Sequence, residues 1–267
     1  MLTNALRKLK RQTARSSLVV ASVSWLRNRK RRSFAEVESR IAGAHGLEIG
    51  GPSKIFSQRG PFPVYSVVAS LDNVNFSDAN FWSTIPAGMN FQFDEKKQPG
   101  QQIIADAVDL SVIADETYDL VISSHVIEHL ANPIRGLKEW QRILKPGGMM
   151  IVVAPDKRFT YDRNRPVTPL SHILEDFAFN TPEDDDTHLE EVIRLHDLTN
   201  DGTVSSFDEH RARTLNNAVT RITHHHVFDI DLLLGLLVAA DFTILAQDVF
   251  RPYHLLAVAQ KAKLAAE

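Results

Sequence analysis

The stretch "YDLVISSHVIEHLANPIRGLKEWQRILKPGGMMIVVAP", residues 118–155, decides the fold. "YDLVISS" is a short β-branched run of strand character. Asn132 is suited to cap a helix, Pro133 fits the first helical position, and Ile134, Leu137, Gln141 and Leu144 recur at helical spacing. Lys145-Pro146-Gly147-Gly148 stops that helix. "MMIVVA" is then apolar without alternation, as expected of a strand covered on both faces. Strand, helix, strand in this order is a parallel βαβ unit, so the chain reads as an α/β protein.

The pattern extends in both directions. "SFAEVESRIAGA", residues 33–44, opens with Ser33 and Glu36 as a capping box and presents Phe34, Val37 and Ile41 on one face. It leads into a first strand, "HGLEI". "PVYSVVASLD" is a second strand candidate and "QQIIADAVDL" a third, with "YDLVISS" the fourth. Residues 73–100 are polar and turn-rich and read as an insertion or lid, and residues 156–223 as a polar helical cap. Asp229 caps a last helix carrying Leu232, Leu233, Leu236, Leu237 and Ala240. Only Arg251-Pro252 separates the closing strands "FTILAQDVF" and "YHLLAVAQ", too short a link for a crossover helix, so they should pair antiparallel.

The formal charge of −3 hides an asymmetry, because residues 1–40 hold 11 of the 30 Lys and Arg and only Glu36 and Glu38 of the acids. Residues 1–32 thus form a basic arm ahead of an acidic body at 33–261. The apolar run "LVVASVSWL" in the arm is too short to span a bilayer, and the basic cluster "RNRKRR" follows it where a secretory signal would have a cleavage site. A cytoplasmic chain is expected. The arm suits an interfacial helix on anionic lipid, peripheral to the inner membrane face, and equally a solvated leader. The acidic body, without a recognised nucleic-acid motif, disfavours nucleic acid as a partner. There is no cysteine, which excludes disulfides, a thiolate nucleophile and Cys-based zinc sites.

The acid-containing turn "EIGGP" after strand one, the block "ADAVDLSVIADETYDLVISSHVIEHLANP", the "LKPGGMMIVVAP" segment and the closing strand pair resemble the class I S-adenosylmethionine-dependent methyltransferases, in the bacterial methyltransferase-domain form. The resemblance runs from about Ser33 to Lys261. It implies a Rossmann-like fold with a seven-stranded, mostly parallel sheet and a C-terminal antiparallel pair, and S-adenosyl-L-methionine as cofactor. It further implies that Glu48, Gly50 and Gly51 line the methionine and ribose end, and that Asp72 at the end of strand two meets the ribose. Asp106 with Ala107 would meet adenine, and Ser124 and His125 would flank the methionine moiety. The turn departs from the family pattern, since Pro52 and Lys54 stand where further glycines are usual. Proline removes an amide donor, a serious loss for a pyrophosphate ligand but not for a phosphate-free methyl donor.

An alcohol acceptor needs a base, and "HVIEH" and "THHHVFD" offer imidazoles where open α/β sheets bind ligands. His129, His225 and His226 are the catalytic candidates, and Arg163 and Arg165 of "DKRFTYDRNRP" could clamp an anionic group on a small or glycan-like acceptor. No metal is expected: adjacent histidines point in different directions. Asp184 to Asp186 with His188 and His196 could suggest divalent-metal ligation, but the stronger reading is that the acids precede a capping box at Thr187 and Glu190 and complement a helix dipole. O-methylation is the leading reading. A non-catalytic binding protein on the same fold is the alternative, and an NAD(P)-dependent oxidoreductase is less favoured.

Overall fold

The structure is a computed structural model that describes residues 30–78, 86 and 88–263. Most of the basic arm therefore lies outside the described residues. Among the described residues, eight strands form one sheet in the order β3-β4-β2-β1-β5-β6-β8-β7. The strands are β1 (His45–Ile49), β2 (Ser70–Asn75), β3 (Asn90–Phe91), β4 (Gly100–Ile104), β5 (Tyr118–Ser124), β6 (Leu144–Pro155), β7 (Phe242–Phe250) and β8 (His254–Lys261). The β4-β2-β1-β5-β6 run is parallel, while β8 is antiparallel to both β6 and β7. This is the expected sheet with one addition, the two-residue strand β3, antiparallel on the edge strand β4.

Alternation along the central strands assigns each side chain to one of two cores. Val121 of β5 and Met150, Val152 and Ala154 of β6 face one core, with Trp140 and Leu137 of helix α2 (Pro133–Ile143). Leu120 and Ile122 of β5, with Ile151 and Val153 of β6, face the other, with Phe34, Val37 and Ile41 of helix α1 (Arg32–Ile41). Trp140 donates its indole N–H to the carbonyl of Ala107 at 2.9 Å, tying α2 to the loop after β4.

Four helices lie in the cap after β6: α3 (Leu170–Ala178), α4 (Leu189–Leu195), α5 (Phe207–Leu215) and α6 (Asn217–Thr220). The last helix, α7 (Ile230–Ala239), is capped as expected, Asp229 accepting from the Leu232 amide at 2.8 Å. Asn132 likewise caps α2 through the Arg135 amide.

Several local expectations are corrected. "PVYSVVASLD" does not form one strand: residues 64–66 make a 3₁₀ turn and β2 begins at Ser70. β2 also continues through Asn75, so the segment 73–100 starts inside a strand. Ser33 does not cap α1; its hydroxyl donates to Asp248 of β7 at 2.7 Å, where Arg31 adds a two-pronged ion pair. The capping box at Thr187 does not form either, because Thr187 bonds Asp185 and the helix starts at Leu189. In both places a tertiary or neighbouring carboxylate competes for the hydroxyl. Among the described residues, no helix is long and apolar enough to cross a membrane.

Candidate functional site

The chain runs from β1 outward through β2 to β4 and returns to β5 beside β1, so the carboxyl ends of β1 and β5 flank a topological switch point, where such sheets bind ligands. A cavity of about 930 Å³ opens there, roofed by the cap. Its floor is apolar, with Ile49, Val74, Ala107 and Val126, and its far wall carries Tyr161 and His224.

The turn after β1 is built inward. Gly50 has φ +82°, and a Cβ there would sit 2.4 Å from the Val126 side chain. A Cβ on Gly51 would fall 2.4 Å from the Glu48 carboxylate and 2.7 Å from Asn73 Oδ1. The Gly50 amide donates to the Val74 carbonyl, the Gly51 amide to Asn73 Oδ1 and the Ser53 amide to the Tyr65 hydroxyl, and Pro52 has no N–H. All the amides from Gly50 to Ser53 are thus used within the protein. A single 3₁₀ turn (Lys54–Phe56) follows, in place of the helix whose N-terminus would receive a pyrophosphate.

Glu48 lies beneath this turn rather than in the cavity. Tyr65 donates to its Oε2 at 2.6 Å, and burial pushes its carboxyl up to about 7 against that bond and those of Ser53. Its place is to support the turn. Gly50, Asp106, Ala107, Ser124 and His125 do line the cavity. His125 adopts φ +57°, and its Nε2 meets His254 Nδ1 at 3.0 Å. Asp106 pairs with Arg221 at 3.1 Å, and Arg221 also holds Glu183 at 3.0 Å, fastening the cap to the loop after β4.

Asp72 is corrected. It sits in mid-strand, away from the cavity, accepting from the Tyr118 hydroxyl at 2.9 Å and the Gln101 amide at 2.8 Å. Asn75 is the residue at the carboxyl end of β2 that lines the cavity.

The histidines are redistributed as well. His225 is buried, its Nε2 accepting from the Asn217 amide group at 3.0 Å, and burial lowers its pKa to about 3. His226 is also buried, against the Ala131 carbonyl at 3.2 Å. Neither lines the cavity. His129 does, but burial and the neighbouring His224 push it down to about 4, making it a poor proton acceptor.

His224, not singled out from the sequence, faces the cavity. Its Nδ1 is 2.5 Å from Asp162 Oδ2, and its Nε2 is 2.7 Å from the Tyr161 hydroxyl. Burial opposes charge on His224, but Asp162 outweighs it and raises its basicity above the ordinary 6.5. Burial likewise works against ionised Asp162, yet His224 and Arg165 hold it down to about 2. The buried Glu128 lies 3.9 Å from His224 Nε2 and 3.4 Å from His125 Nδ1, and the surrounding imidazoles keep it below the usual carboxylate range despite burial.

Neither arginine of the expected clamp lines the cavity. Arg163 is exposed and pairs with Asp197 at 2.6 Å. Arg165 is fully buried, bonded to Asp162 at 2.9 Å, to Glu191 at 2.8 Å and to the carbonyls of His224 and His225. It fixes the backbone that carries His224. Arg251, stacked over Phe159 at 4.9 Å, lines the cavity, as do Arg221 and Lys54.

The missed residues had a partial signal. Tyr161 and Asp162 sit inside "FTYDRNRP", but the basic residues drew the reading there, and Asp162 is 62 residues from its histidine.

The family described as a methyltransferase domain matches residues 85–152. A ubiquinone biosynthesis O-methyltransferase from Parvibaculum lavamentivorans is 44% identical over 39 residues, 15% of this chain and 15% of that protein, so the match spans only a small part of its length. Among solved structures, an S-adenosylmethionine-dependent methyltransferase from Mesorhizobium loti aligns over 83% of this chain and 92% of its own at 13% identity and a TM-score of 0.46. One from Methanosarcina mazei aligns over 82% and 93% at 16% identity and a TM-score of 0.44. The stretch from residue 85 to residue 152, which holds β4, β5, α2 and most of β6 and supplies one side of the switch-point cavity, is thus similar to methyltransferase domains.

Proposed function

We propose that this chain transfers a methyl group from S-adenosylmethionine to a hydroxyl oxygen of a small or glycan-like acceptor, with His224 as the base. The carrying observation is the buried Asp162–His224–Tyr161 chain opening into the switch-point cavity.

The residues present suit the cofactor. The turn at Gly50 leaves no amide from Gly50 to Ser53 for a phosphate, which a sulfonium nucleoside does not have. Ile49, Val74 and Ala107 offer apolar walls to adenine, and Asn75 at the end of β2 takes the ribose-binding place. Bound there, S-adenosylmethionine supplies an electrophilic methyl group on sulfur.

The protein's share of the chemistry is alignment and proton removal. Asp162 holds His224 with Nδ1 protonated, leaving Nε2 to accept. As the acceptor oxygen gains its methyl group, its proton passes to the Tyr161 oxygen while the Tyr161 proton moves to His224 Nε2. The proton ends on an imidazolium stabilised by Asp162. Phe159, Tyr161 and Tyr253 give the outer cavity aromatic faces, and Arg251 and Asp201 give it polar edges, a combination suited to a hydroxyl-rich ring.

Calorimetry with S-adenosylhomocysteine and NADPH tests the cofactor: the first should bind and the second should not. Label transfer from methyl-tritiated cofactor to a panel of polyols and glycans tests the acceptor. An alkali-stable ether product is expected; an alkali-labile ester would refute hydroxyl methylation.

A further inference from the structure

Outside the cavity, the cap gathers His172, Asp176, His188 and His226, whose ligating atoms all lie within 4.8 Å of one another. We propose that these four residues bind a divalent transition-metal ion, with zinc the best fit, and that the ion fastens the cap to the segment carrying His224.

The geometry is the first argument. His172 and Asp176 are one turn apart on α3 and share a face. His172 Nε2 lies 3.0 Å from His188 Nε2 and 3.6 Å from Asp176 Oδ2, and His226 Nε2 lies 3.8 Å from the same oxygen. Tetrahedral zinc with Zn–N near 2.0–2.1 Å places its ligand atoms about 3.3–3.4 Å apart, in the middle of these separations. Three imidazoles and one carboxylate suit zinc better than magnesium or calcium, which favour oxygen donors.

Unmet polar chemistry is the second argument. Asp176 Oδ2 is buried and makes no hydrogen bond among the described residues, while Oδ1 is oriented by the Thr181 hydroxyl at 3.1 Å. Two ring nitrogens facing each other at 3.0 Å must share one proton or one cation. Binding exchanges the His226 hydrogen bond to the Ala131 carbonyl for coordination.

The position gives the ion a consequence. His172 and Asp176 belong to α3, His188 precedes α4, and His226 stands two residues from His224. A bound ion would join two separate stretches of the cap to the segment that carries His224. The other cluster, Glu128, His129 and His224, lies in the cavity, and there His224 is already engaged by Asp162 and Tyr161.

The test uses the full chain, stripped with a chelator and titrated with Co²⁺, and does not depend on methyl transfer. One equivalent should bind with the visible absorption of four-coordinate cobalt and be displaced by Zn²⁺. His172→Gln and His188→Gln should abolish the absorption, and Glu128→Gln should keep it. Zinc-edge X-ray absorption on the unmutated chain, expecting three imidazoles and one oxygen donor, decides the matter if a variant fails to fold. No uptake by the native chain, uptake unchanged in His188→Gln, or loss in Glu128→Gln alone would overturn the proposal.

Discussion

Asp162→Asn separates His224, the proposed base, from its orienting charge while keeping the shape of the side chain. In the native chain Asp162 accepts from both His224 and Arg165, at 2.5 and 2.9 Å. The amide keeps one oxygen for these two donors and turns an NH₂ toward the other. His224 then loses the partner that fixes its tautomer and raises its basicity, and turnover should fall by about 10²–10³, within the range a general base contributes. Cofactor affinity should be kept, because Asp162 stands behind the cavity wall. Stability should fall by about 3 kcal/mol, the lower end of the cost of breaking a buried ion pair, since Arg165 retains Glu191 and two carbonyls. The pH window follows from the two shifts. His224 has a raised folded pKa, so its contribution is full below the unfolded value near 6.5 and is lost as pH rises through the folded value. Asp162 has a folded pKa depressed to about 2, so its contribution is present above its unfolded value near 3.8 and is lost as pH falls toward about 2. The stability gap between native and variant should therefore be widest between about pH 4 and 6.5. Label transfer, calorimetry with S-adenosylhomocysteine and urea unfolding across pH measure the three quantities. A folded variant with native turnover would refute the assignment of His224.

The remaining expectations concern the same site and its supports. With native enzyme, kcat/KM should rise with pH through a limb above 6.5, because His224 must be neutral to accept a proton and Asp162 raises its basicity; a flat profile across that range would contradict this. Tyr161→Phe removes the relay oxygen and should lower turnover by about 10²-fold with calorimetric cofactor affinity unchanged. Gly51→Ala drives a methyl group into the Glu48 carboxylate and should cost about 1–3 kcal/mol in urea unfolding, with weaker cofactor binding. Arg163→Ala should change stability by less than about 0.5 kcal/mol, whereas Arg165→Ala, which strips a buried ion-pair hub, should cost several-fold more in the same assay.

The sequence by itself determined the α/β class, the central parallel βαβ unit and the antiparallel pair that closes the sheet. Local signals sufficed: Asn132 and Pro133 start a helix whatever surrounds them, an unalternating "MMIVVA" needs two covered faces, and a two-residue link forces an antiparallel pair. Gly50, Asp106, Ala107, Ser124 and His125 line the cavity because their positions follow strand ends, and strand ends follow from pattern. Only tertiary structure decided which histidine of the run faces the cavity. His224, His225 and His226 are chemically identical neighbours. Their roles diverge because one faces the cavity opposite Asp162 and Tyr161, while the next two are buried against Asn217 and Ala131. The same holds for Arg165, which looked like a clamp for an acceptor and is instead sealed among carboxylates and carbonyls, and for Asp72, displaced from the ribose end because β2 runs three residues further. Each of these outcomes depends on partners tens of residues away, and the cap that brings them together carries no period for a linear reading to follow.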